Sequence, residues 1–160
     1  MTTSQKLASE LESVLSGEPW YGPSVYAIVD GISFEAAYEK PVGSVHNIAA
    51  IILHMTGWTE EVMDRMNGMD AQLPVRGDWP EPGLPDEQKW KWIVEDIKLV
   101  NVNLTGFIQN FPEERWSEVV AGKSGSDEAG ETYEQQVCGL IQHHIYHSAQ
   151  IALLNRMING

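Results

Sequence analysis

The sequence predicts an all-α protein folded as a four-helix bundle with long inter-helix loops. Three observations support this. Four segments carry apolar residues at helical spacing, proline and glycine gather in the stretches between them, and no stretch makes a convincing sheet.

The first segment, Thr3 to Ser16, places Leu7, Leu11 and Leu15 four residues apart, and Gly17 follows as a stop. Pro19, Gly22 and Pro23 cannot continue that helix. Ser24 to Tyr38 leaves room for one or two short helical turns around Gly31, closed by Pro41. Ser44 is the expected N-cap of the second long helix, since its hydroxyl can satisfy an amide of the first turn. This helix runs to about Asn67, with Val45, Ile48, Ile51, Ile52, Met55, Trp58, Val62 and Met66 on its apolar face and His54 pointing inward at the edge.

Gly68 to Pro85 holds four prolines, Pro74, Pro80, Pro82 and Pro85, and reads either as a crossover between helices or as a loop closing over a site. Asp86 suits the start of a third long helix, which carries Trp90, Ile93, Ile97, Leu104, Phe107 and Ile108 and ends at Asn110 before Pro112. Trp116 to Val120 is expected to be extended, and Ala121 to Gly130 to be a flexible connection. Thr132 and Gln135 form a capping box for the last helix, Tyr133 to about Met157. With no repeat and no second block of composition, residues 1–160 are expected to form a single domain.

Ten basic residues stand against 23 acidic ones, a formal charge of -13. Such a surface repels phosphate backbones, which excludes nucleic acid as an expected partner. Cys138 is the single cysteine and cannot form an internal disulfide. The polar start, Met1 to Glu10, has no apolar core of a signal peptide, and the longest apolar run, Ile48 to Leu53, is far too short to span a bilayer. The expectation is a cytoplasmic protein without membrane contact.

Chemistry is concentrated in Leu140 to Ile151, which contains three of the five histidines. His143 and His147 are four apart, so on a helix both side chains share one face, the spacing needed for two imidazoles to hold one metal ion. Such a pair alone is more often a polar patch. Here Leu140, Gln150, Ile151 and Leu154 continue its face inward, and His54 faces inward from another long helix. Three buried imidazoles without a shared purpose would be costly, and bundles build metal sites from facing helices. Three nitrogen ligands leave a coordination position open to water or substrate.

His144, about 100° round the helix from His143, is expected to face outward or pack at a helix edge. His46 reads as a surface residue near the first turn of its helix, and Cys138 as a small packing residue. Trp58 could line the site, with packing the more ordinary role. Gln150, one turn from His147, either orients an incoming group or makes an interior hydrogen bond. Tyr146 lies off the stripe. The residue after His143 is not the glutamate of zinc proteases, and the Glu-x-x-His pairs of di-iron bundles are absent.

The stretch SVHNIAAIILHMTGW, Ser44 to Trp58, together with HHIYHSAQI, His143 to Ile151, resembles the DinB/YfiT-like superfamily of four-helix bundles. The loop GDWPEPG, Gly77 to Gly83, is similar with less specificity. The resemblance implies that His54, His143 and His147 are a metal triad holding a divalent ion, usually zinc or nickel, with iron or manganese as alternatives. It also implies a homodimer acting on a small-molecule substrate, as a metal-dependent hydrolase or as a transferase of a low-molecular-weight thiol. The competing reading is a non-catalytic bundle that binds a small ligand or a partner protein.

Overall fold

The computed structural model describes residues 1–122 and 130–160. Four long helices form a closed ring of neighbours. Helix α1 (Thr3–Ser16) packs on α5 (Glu87–Asn110) and α6 (Tyr133–Asn159), and α4 (Ile48–Met66) packs on the same two from the other side. Two short helices, α2 (Val25–Asp30) and α3 (Phe34–Tyr38), lie between α1 and α4 in sequence. They pack against α6, with α2 also touching α1 and α3 touching α4 and α5. Of the one or two short turns expected around Gly31, two are present. No strand occurs among the described residues, only an isolated antiparallel bridge between Val119 and Thr132.

The helix starts follow from side-chain chemistry. Thr2 with Gln5, and Thr132 with Gln135, close reciprocal capping boxes. Asp86 caps α5 through the Lys89 amide at 2.8 Å. The expected cap of α4 is corrected, because Asn47 and not Ser44 occupies that position. Asn47 Oδ1 accepts from the Ala50 amide at 2.8 Å, and its Nδ2 donates to the Tyr38 carbonyl. Ser44 instead donates to the His46 carbonyl at 2.6 Å within the preceding turn, so α4 begins three residues later than expected.

Trp116 to Val120 also departs from expectation. Glu113–Ser117 is a 3-10 helix, and extended backbone is confined to the residues after it. The pull is the burial of Trp116, whose indole nitrogen donates to Ser4 Oγ at 3.0 Å while its ring packs on Phe111. The expected flexible connection falls largely on residues 123–129, which lie outside the described residues.

Leucine, isoleucine and valine from all four long helices fill the centre. One buried ion pair sits at the C-terminal end of α4. Glu61 Oε1 accepts from Arg65 Nε at 2.8 Å and from the Gln72 amide at 2.8 Å, and the guanidinium continues to Gln136 and the Gln72 carbonyl. No described helix is long and apolar enough to cross a membrane.

Candidate metal centre

The centre lies on the seam between α4 and α6. His54 comes from the middle of α4, and His143 and His147 from successive turns of α6. Each offers a ring nitrogen, and the three nitrogens lie within 4.8 Å of one another. His54 Nε2 is 3.0 Å from His143 Nε2, and His147 Nε2 is 3.1 Å from the same atom. Two nitrogens about 2.0–2.1 Å from a common ion stand roughly 2.9–3.4 Å apart for coordination angles between square and tetrahedral. Both contacts fall in that range.

The outer nitrogens decide the tautomers. His54 Nδ1 donates to the backbone carbonyl of Asp78, and His147 Nδ1 donates to Gln150 Oε1 at 2.7 Å. Each ring therefore presents Nε2 as a lone pair toward the centre. His143 can supply at most one Nε2 proton, so one of its two close contacts must set lone pair against lone pair unless a cation lies among them. The buried Nδ1 of His143 has no hydrogen-bond partner.

Burial also keeps these rings neutral, the state a metal ligand requires. Desolvation pushes His143 down to about 3, helped by the nearby His147, His54 and His144. Desolvation lowers His147 as well, opposed by its bond to Gln150. His54 is lowered by desolvation, with Asp78 pulling the other way through its carbonyl and its carboxylate, 3.4 Å from Nδ1.

The Gly68 to Pro85 connection closes over the centre, one of its two expected roles. Trp79 lies flat between His46 and His54, with ring centroids 3.7 Å from each and planes within 4°. Asp78 also accepts the Trp58 indole proton at 2.8 Å. The loop is tied down by Arg76, which reaches Glu60 on α4 and Asp96 on α5 at 2.6 and 2.8 Å. It approaches α4 closely at Gly57, where an added Cβ would stand 3.4 Å from the Pro74 side chain. Gly77, at φ +91°, turns the chain toward Asp78 in a conformation that favours glycine.

Two assignments are overturned. His144 is fully buried, and its Nε2 lies 2.9 Å from Asn101 Oδ1 on α5. Val137, Leu140, Ile141, Ser148 and Ile151 flank it, so His144 is the middle of the buried stripe of α6. His147 and His143 lie about 60° and 100° to one side, at the stripe's edge. His46 precedes α4 and is half-buried against Trp79 rather than free on the surface.

Trp58 takes both roles considered for it, packing on the core and lining a cavity that reaches His143. Gln150 makes its hydrogen bond within the site, to His147. Cys138 packs half-buried against the core, and Tyr146 is exposed. Asp78 and Trp79 are the additions that residue-by-residue reading missed. Their only signal in the sequence is the GDWPEPG motif.

A helical bundle with three converging imidazoles on facing helices defines a class of candidate metal-binding proteins. More narrowly, the sequence matches the DinB superfamily over residues 24–151, and the chain belongs to that family. No curated protein and no solved structure matches it.

Proposed function

We propose that His54, His143 and His147 hold one divalent ion, zinc or nickel, and that the protein is a metal-dependent enzyme acting on a small molecule. The observation behind this reading is the commitment of His54 Nδ1 and His147 Nδ1 to outside acceptors, which aims both Nε2 lone pairs at His143. A divalent ion there would supply Lewis acidity, lowering the pKa of a water or thiol that reaches its open positions. The reaction is then hydrolysis by water or transfer of a low-molecular-weight thiol, and the same three ligands serve either.

The surrounding residues have separate tasks. Asp78 fixes the His54 ring through its carbonyl and adds negative charge beside it. Gln150 fixes the His147 ring from its outer side. Trp79 covers one face of His54 and keeps water from it. Cavities of about 480 and 190 Å3 reach His147 and His143 respectively, so reactants have two approaches. Assembly as a homodimer is proposed from the family likeness, and a cytoplasmic setting from the lone Cys138.

The test compares ester hydrolysis with conjugation of a small thiol to a general electrophile. Protein loaded with zinc or nickel should support one reaction, lose it with chelator, and recover it when the ion returns. The His143→Gln variant should support neither. Equal rates from loaded and stripped protein would refute the proposal.

A further inference from the structure

The larger of the two cavities has a composition that points to a substrate class. Its volume, about 480 Å3, is that of a small-molecule site. His147 and Gln150 stand in its wall, so it meets the candidate metal centre directly. Val45, Ile51, Trp79, Leu153 and Leu154 supply the apolar part of the remaining wall, and Ser44, His46 and Tyr146 complete it. Val45 is 74% exposed and Leu153 59%, leaving apolar surface open to solvent beside a polar end.

Charge is the second observation. In a chain of formal charge -13, no lysine, arginine, aspartate or glutamate among the described residues lines this cavity. The smaller cavity at His143 is lined by Arg65 and Glu131. A phosphate or carboxylate tail in the larger cavity would lose its water and find no lysine or arginine among the described residues of the wall, whereas an apolar group would gain from leaving water.

Building on the metal-dependent reading above, we propose that this cavity holds an uncharged apolar part of the substrate, an aryl or branched-alkyl group whose reacting polar head lies at His147. The substrates are then amphipathic molecules with an uncharged tail. Val45, Trp79 and Leu153 set the preference for that tail.

Hydroxamates of graded tails test this on zinc-loaded protein by titration calorimetry. Hexanohydroxamate and benzohydroxamate should bind more tightly than acetohydroxamate, with a gain of up to about fourfold per added methylene. A hexanohydroxamate ending in a carboxylate should lose most of that gain. Val45→Asp and Leu153→Asp, at exposed positions, should weaken hexanohydroxamate at least tenfold while leaving zinc stoichiometry and acetohydroxamate affinity unchanged.

Equal affinity for all tails overturns the inference while leaving the metal reading intact. So does a second copy of the chain seated on the cavity, seen as a dimer that both aspartate variants dissociate without altering tail preference. If the protein retains no zinc, the metal reading fails and the cavity is tested alone. Benzyl alcohol should then shift the Trp79 indole N–H resonance of metal-free protein, and Val45→Asp should abolish the shift. The absence of any shift overturns the inference.

Discussion

Acid should destabilise the protein through His144, by an amount that follows from its surroundings. Asn101 Nδ2 donates to the Ile97 carbonyl, so Asn101 Oδ1 faces His144 as an acceptor and His144 Nε2 carries the proton. The other nitrogen, Nδ1, is buried without a partner, and burial lowers the ring from 6.5 to about 4. Well above pH 6.5 both folded and unfolded chains hold this ring neutral. As the pH falls, the unfolded chain takes up a proton near 6.5 while the folded chain refuses it until about 4. The unfolded state thus binds more protons across this window, and stability falls with pH.

The full effect is about 3 kcal/mol, of which about 2 kcal/mol is lost by pH 5. Urea unfolding of wild type and His144→Gln, with chelator present at pH 7.5 and pH 5.0, measures it. Glutamine keeps a donor for Asn101 but does not titrate, and the variant retains the other four histidines. Wild type should lose about 2 kcal/mol more than the variant between the two pH values. Equal losses would refute the burial argument.

Gln150→Ala frees the outer nitrogen of His147 and should weaken metal binding by about 10–100-fold in competition titrations. Glu61→Ala strands the buried Arg65 guanidinium and should cost about 3–5 kcal/mol, lowering the melting temperature by roughly 10 °C by calorimetry. Ser4→Ala removes the acceptor of the buried Trp116 indole and should cost about 1–3 kcal/mol in urea unfolding, with unchanged metal stoichiometry.

Much of this was legible in the sequence because it is local. Leucines four apart, an aspartate before α5 and a Thr-x-x-Gln box mark their helices without help from the rest of the chain. The His54, His143 and His147 grouping was legible because two helical faces suffice to state it. Ser44 misled because a serine that can cap can equally close a turn. Asn47 caps as well and stands immediately before the apolar run.

His144 misled for a different reason. The expected stripe on α6 runs through the histidine pair, whereas α6 packs against several neighbours and buries a broader arc centred on His144. The metal-ligand geometry is consistent with that shift, since residues at the edge of a buried arc can be reached from cavities. Asp78 and Trp79 were illegible because their position depends on Arg76 meeting Glu60 and Asp96, contacts between distant parts of the chain.

The central claim is that three imidazoles on two helices hold one ion. Elemental analysis after zinc or nickel loading and exhaustive dialysis, on protein carrying no histidine tag, tests it most directly. The wild type should retain one ion per chain, and His54→Gln, His143→Gln and His147→Gln should each retain almost none while remaining helical by circular dichroism. A wild type that retains no ion, or one whose retention is unchanged in all three variants, would contradict the account.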